Sequence, residues 1–345
     1  MKNKNNCVGI TGWGYYLPQY RITAKEIAHH HQQNETRAIL GLLINEKTVP
    51  GKDEDAITMA VQASKDALTN ANICAKNIGA IYFGSESHPY AVKQSSVIVG
   101  SALGVTNHYL AADLEFACKS GTSAMQICYG LSKAEQITYG LAIGSDTAQA
   151  RPGDVLEYSA GAGAAAIIIG NKTEKVCATI EATVSCASDT PDFWRRTMRT
   201  YPEHTSRFTI KPSYLKHVTT ATKLILEKTG LQPNNFDHVI FHQPNGKLPL
   251  LAAKTLGFQK KQLTYGLLVK NIGNCYSASS MLGLCNVLDN AKPNQTILLT
   301  SYGAGGGSDS FVFKTTNAIK KKKNVKKTNY TYLTYAQYRT HVERP

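Results

Sequence analysis

Apolar runs recur along this chain, and several end abruptly in a polar residue. The stretch IGAIYFGSES, residues 78–87, is a run of that kind closing at Glu86. LILEKTGLQPNNFDHVIFHQPNG, residues 224–246, shows a helical pattern leading into an apolar strand that closes at His242. Near-continuous apolar runs, rather than strict alternation, predict strands covered on both faces. Both are followed by a run of small residues: CKSGTSAMQIC from Cys118 and NCYSASSMLGLC from Asn274. Such runs predict slim helices buried between layers, where larger side chains would not fit. Further strands come next, YGLAIGSDTA and GAGAAAIIIG in the first half, QTILLTSYGAG and GAGGGSDSFVF in the second.

These segments form an internal repeat. Thirty-two residues separate Glu86 from Cys118, and thirty-two separate His242 from Asn274. The same offset of 156 pairs Leu141 with Ile297 and Ser145 with Ser301. A duplicated α/β unit is expected, one half at 1–172 carrying Glu86 and Cys118, the other at 173–345 carrying His242 and Asn274. Two such halves packed together give an α/β/α/β/α sandwich. Outside the repeat, Asp55 opens a helix with Ala56, Met59, Ala60, Ala63 and Ala67 at helical spacing. Residues 151–160 and 186–215 lack periodicity and read as functional loops, the latter holding Arg195, Arg196, Arg199 and Arg207. The tail turns aromatic at YTYLTYAQY and is expected to dock on the body.

Composition narrows the class. The 345 residues are 42% hydrophobic with 27 glycines, enough for a large globular core. No run is long enough to span a bilayer, and the N-terminus lacks a signal-like cleavage region, so a cytoplasmic protein is expected. The eight cysteines include no C-x-x-C pair, which argues against a zinc or thioredoxin-like site. The formal charge of +14 is concentrated near the end, at Lys314, Lys320 to Lys323, Lys326 and Lys327. It reads as a solvated face, compatible with a phosphate-bearing substrate, because no nucleic-acid-binding signature accompanies it. The His29–His31 run reads as surface.

The repeat puts Glu86, Cys118, His242 and Asn274 at strand ends and helix starts, where α/β folds bind ligands. Cys118 before a helix is expected to have its thiolate stabilised by the helix N-terminus. His242 can hydrogen-bond a carbonyl oxygen or relay a proton. Asn274, which does not titrate, suits orientation of a carbonyl or enolate. A carboxylate such as Glu86 among apolar walls has a raised pKa, as a proton shuttle requires. Glycines 303, 305, 306 and 307 let backbone N–H groups approach a developing oxyanion. Each of these residues also has a plain structural reading, as buried thiol, strand-end carboxylate or turn residue.

At these positions the chain resembles the thiolase superfamily, and within it the archaeal-type hydroxymethylglutaryl-CoA (HMG-CoA) synthases. The resemblance rests on GSESHPYAVK, AADLEFACKSGTSAMQ, GLAIGSDTAQ, PGDVLEYSAGAGAA, TPDFWRR, FHQPNGK, NIGNCYSASSMLG and SYGAGGGSD, and covers residues 8 to 315. The final YAQYR resembles the family tail. It implies a thiolase-like fold and no cofactor, with acetyl-CoA and acetoacetyl-CoA as substrates on the mevalonate route. Cys118 would carry the acetyl group, Glu86 would shuttle protons, and His242 would hold the acceptor carbonyl. Asn274 and backbone N–H groups near Cys118 and Gly303 would polarise oxygens. Ser159 and Thr209 would contact the HMG portion, Arg207 and Lys247 the CoA portion. A homodimer is implied, with an acetoacetyl-CoA thiolase and a small zinc-ribbon/OB-fold protein as further partners.

The chain also departs from the family pattern. Leu251 stands where a basic residue is common, Ala304 where a serine is common, and His204-Thr205-Ser206 replaces a glycine-rich stretch. The rival enzyme is a ketoacyl synthase or acyltransferase of the same superfamily. Glu86 separates the two, because condensation without decarboxylation needs a base. A thiolase is disfavoured by the lack of a second cysteine near 303–307. The rival of another class is a basic scaffold or nucleic-acid binder.

Overall fold

The structure is a computed structural model that describes residues 7–147, 149–319 and 329–343. The first half runs β1 (Gly9–Tyr16), β2 (Tyr20–Thr23), α1 (Ala24–His30), α2 (Glu35–Leu42), β3 (Glu46–Val49), α3 (Ala56–Ala71), β4 (Ile78–Gly84), α4 (Ser95–Leu103), β5 (Leu110–Leu114), α5 (Ser120–Lys133), β6 (Tyr139–Thr147) and β7 (Ala162–Gly170). The second continues with β8 (Ala178–Ala187), β9 (Phe193–Trp194), β10 (Glu203–His204), α6 (Lys216–Thr229), β11 (His238–Phe241), α7 (Lys247–Leu256), α8 (Val269–Ile272), α9 (Ser279–Asn290), β12 (Thr296–Thr300), β13 (Gly307–Thr315), β14 (Thr331–Tyr332) and α10 (Tyr335–Val342).

The strand order is β11-β12-β13-β8-β1-β7-β6-β4-β5. Read outward from the centre, β1-β7-β6-β4 and β8-β13-β12-β11 repeat one pattern of antiparallel, antiparallel and parallel pairs. The half-sheets meet only where Gly9 and Ile10 pair with Thr179 and Ala178. Edge strand β5 has no counterpart among the described residues of the second half.

Alternation along the strands builds the layers. Ile167 and Ile169 share one core with Ile297, Leu299, Phe311 and Phe313, and with Met125 of α5 and Met281 of α9. Ile168, one residue out of phase, packs instead with Ala60, Ala63 and Ala67 of α3. Leu298 and Val312 turn outward to Val218 of α6 and Ala252 of α7. The period of two therefore sends neighbouring residues to different layers. The order is helix, sheet, paired central helices, sheet, helix: the expected five-layered α/β fold of two duplicated halves.

Small residues let the central helices meet. A Cβ on Gly121 of α5 would lie 2.8 Å from the Ser277 carbonyl, and one on Gly144 of β6 2.6 Å from it. Asp55 caps α3 with a capping box to Thr58.

Two buried aspartates tie the halves together. Asp146 of β6 accepts from the Ser277 N–H at 2.9 Å and Ser277 Oγ at 2.6 Å. Its other oxygen accepts from Ser85 Oγ, the Glu86 N–H and Ser87 Oγ. Asp309 of β13 answers from the other half, pairing with Lys119 Nζ at 3.1 Å and accepting from Thr122 and Ser123 of α5.

The aromatic tail docks on the body. β14 pairs with β2, and Tyr335 and Tyr338 of α10 are buried. Tyr335 donates to Glu157, a fully buried carboxylate, which also takes His31 Nε2 at 2.8 Å. The expectation of a wholly exposed histidine run is thus corrected at His31, which is drawn inward by this carboxylate. The lysines from 320 to 327 lie outside the described residues.

Asp309→Ala leaves the Lys119 ammonium buried without its partner. It should cost about 3 kcal/mol in denaturant unfolding, while Lys119→Met/Asp309→Leu together should recover most of the loss.

Candidate active site

Cys118 sits at the tip of a short 3-10 turn, Ala117–Lys119, between β5 and α5. Ala117 holds the left-handed conformation at φ 42°. That φ is uncommon for a residue with a Cβ, and it lifts the next side chain out of the helix path. The second half repeats the device with Tyr276 at φ 47° before a turn Tyr276–Ala278. The structural counterpart of Cys118 is therefore Ser277, not Asn274: the elbows lie 159 positions apart while the strands keep 156. Ser277 is committed to Asp146, which leaves one reactive elbow.

Cys118 Sγ donates to Glu86 Oε1 at 2.9 Å. Burial raises the Glu86 carboxyl to about 8, with the nearby Asp146 charge adding to it. Cys118 is pushed well above the ordinary thiol range by burial and then by Glu86, while the Asn274 amide pulls it back. This corrects the expectation of a helix-stabilised thiolate, because desolvation and an adjacent carboxylate outweigh the helix end. The pair rests protonated at neutral pH.

Asn274 is oriented by its surroundings. Its backbone N–H meets the Ser159 carbonyl, and its Oδ1 accepts from the Tyr276 N–H at 3.0 Å. That leaves its NH2 as the donor facing the thiol. His242 follows β11 and is 1% exposed. Burial lowers its imidazole to about 3, so the ring is neutral. Tyr214 Oη donates to its carbonyl, and its Nδ1 is buried without a partner. The residue also lines a cavity, where a neutral imidazole can hydrogen-bond a ligand oxygen.

Cys118, Ser159, Thr209, His242 and Asn274 all line one cavity of about 330 Å³. Its apolar wall includes Leu42, Val155, Leu156, Ile210 and Leu248. Glu86 reaches the thiol from the far side of that wall. Lys247 is exposed at the start of α7, beside Asn34 and Thr36 rather than inside the cavity. The Arg207 side chain lies outside the described residues.

Gly303 differs from expectation: its N–H donates to the Gly307 carbonyl at 2.8 Å, so it is not a free oxyanion donor. Its role is close packing, since a Cβ there would meet the Phe116 carbonyl at 2.7 Å. Of the departures, Ala304 and His204 line the cavity and Leu251 does not.

Sequence reasoning missed Asp192, whose carboxylate takes Ser213 Oγ, Tyr302 Oη and the Gly305 N–H. It fixes the glycine loop to the cavity wall, and its place in TPDFWRR was the signal. Asp146 was also missed, although its position in GSD at the end of an apolar strand was a signal. Among the described residues, no group of three or more His, Cys, Asp or Glu could hold a metal ion. Nor is any helix among them long and apolar enough to cross a membrane.

A paired thiol and carboxyl at the junction of two duplicated α/β halves define an acyl-condensing enzyme of the thiolase-like class. Residues 226–315 match the model for the 3-oxoacyl-[acyl-carrier-protein (ACP)] synthase III C terminal. The hydroxymethylglutaryl-CoA synthase of Archaeoglobus fulgidus is 54% identical over 90% of this chain and 90% of its own. That of Methanocaldococcus jannaschii is 50% identical over 96% and 97%. A crystal structure of an HMG-CoA synthase complexed with CoA superposes with TM-score 0.89, covering 98% of this chain and 91% of that one, at 24% identity. The chain belongs to the hydroxymethylglutaryl-CoA synthase family.

Alkylation of Cys118 by iodoacetamide should be slow at neutral pH and rise only in alkali. Glu86→Gln removes the charge that holds the thiol up, so the rise should begin at lower pH. An unchanged profile in that variant would mean the two groups do not share their protons.

Proposed function

We propose that this chain condenses acetyl-CoA with acetoacetyl-CoA to give HMG-CoA and free CoA, as its relatives' names imply. The observation that carries the reading is the 2.9 Å contact of Glu86 with Cys118 Sγ, whose thiol shares a cavity with His242 and Asn274. Cys118 sulfur attacks the acetyl-CoA carbonyl carbon, and CoA leaves as the thiol with the proton that Cys118 gives up. Glu86, once it has lost its own carboxyl proton to solvent, takes a proton from the acetyl methyl group. The resulting enolate attacks the ketone carbon of acetoacetyl-CoA, whose oxygen His242 holds. That oxygen becomes an alkoxide and recovers the proton from Glu86. Water then cleaves the Cys118 thioester.

A neutral His242 suits a carbonyl ligand, and a carboxyl tuned to about 8 can both take and return a proton near neutral pH. Asn274 and backbone N–H groups polarise the thioester oxygens. Ser159 and Thr209 contact the HMG portion, and Arg207 and Lys247 the CoA portion, with Gly303 shaping the wall.

No cofactor takes part in these steps, and the product feeds the mevalonate route. A homodimer is supported by the exposed edge strand β5 and by Tyr90, Val92 and Leu110, all exposed. An acetoacetyl-CoA thiolase and a small zinc-ribbon/OB-fold protein are the further partners the family resemblance suggests. Eight free cysteines suit the reducing cytoplasm.

Mass spectrometry of products from acetyl-CoA plus acetoacetyl-CoA should yield HMG-CoA. A decarboxylation requirement would point to a ketoacyl synthase instead. Acetyl-CoA should label Cys118, and Cys118→Ala should lose the adduct. Glu86→Ala should still acetylate yet fail to condense.

Condensation in single-turnover assays should rise as pH passes through about 8, where the Glu86 carboxyl ionises, and level off above. A flat profile would remove Glu86 as the base.

A further inference from the structure

In the proposed reaction, which this inference takes as given, the product before release is bonded to Cys118 at one end and to CoA at the other. Its CoA arm then occupies the path from solvent to the thiol. Water that cleaves the Cys118 thioester must come from another side.

A second cavity, of about 540 Å³, lies beyond the wall of the first. Phe193 and Tyr276 line both and form the partition between them. Glu86 lines this second cavity while its Oε1 touches Cys118 Sγ at 2.9 Å. The lining is also polar enough to hold water, with Gln149, Arg195 and Arg196 around Glu86. Arg195 Nη2 donates to the Glu86 carbonyl at 2.8 Å and fixes one side of the opening. The substrate cavity, by contrast, has an apolar wall of Leu42, Val155, Leu156, Ile210 and Leu248.

We propose that this second cavity is the water route for product release, delivering the hydrolytic water to Glu86 and the Cys118 thioester while the product fills the substrate cavity. Glu86 takes one proton from the water as its oxygen attacks the thioester carbon. The carbon–sulfur bond breaks, Glu86 passes that proton to the Cys118 sulfur, and the new carboxylic acid loses its own proton to solvent. No oxidant or further reactant is needed.

The route makes hydrolysis depend on what fills the substrate cavity. Acetyl-Cys118 alone leaves that cavity open, so its slow hydrolysis can draw water from either side. The test uses the full chain with Thr197→Trp or Met198→Trp, exposed positions lining the second cavity. Both variants should acetylate and condense at the native rate, and acetyl-Cys118 should hydrolyse normally when no acceptor is present. Steady-state turnover should fall by about tenfold or more. Intact-protein mass spectrometry should then show Cys118 carrying the HMG-CoA adduct. Native turnover without that adduct overturns the proposal, as does equal slowing of acetyl-Cys118 hydrolysis. Failure of the unmodified chain to condense at all would instead sink the reaction itself.

Discussion

Two buried carboxylates, one from each half, hold the two elbows at Cys118 and Ser277 where they are. Asp146 of the first half grips the second half's elbow at Ser277, and Asp309 of the second half grips Lys119 beside Cys118. Neither half can position its own elbow in the absence of the other. Removing these charges from water is costly, and the cost is offset only because each carboxylate finds several donors. The arrangement makes the two-half assembly and the geometry of the site one structural event.

The site inherits its chemistry from that burial. Cys118 and Glu86 are close enough to share a proton, and both are pushed toward their neutral forms. His242 is neutral for the same reason. A pocket of neutral groups does not repel an uncharged ligand. The thiol faces the first cavity, while Glu86 lines a second.

The tail contributes from a distance. Tyr335 of α10 and His31 of the first half converge on Glu157, two residues before Ser159. Ser159 in turn meets Asn274 through the backbone. The C-terminal helix thereby bears on the cavity without lining it, and the aromatic spacing of YTYLTYAQY matters for packing rather than for chemistry.

Much of this was written in the linear pattern. The apolar runs fixed which strands are covered on both faces, the small-residue runs marked α5 and α9, and the constant offset revealed the duplication. Glu86 and His242 could be named because they close apolar strands, and Cys118 and Asn274 because they open the runs of small residues. What the chain alone left open was decided by neighbours far apart in sequence. The backbone of Tyr276, not residue spacing, made Ser277 the mirror of Cys118, since a left-handed φ carries no signature in a bulky aromatic. The Gly303 amide was claimed by Gly307, and the thiol was raised rather than lowered, because burial and the nearness of Glu86 exist only once the chain is folded. Periodicity and residue type are local and legible in one dimension; pKa and hydrogen-bond allegiance depend on who is adjacent in space, and only the packed structure supplies that.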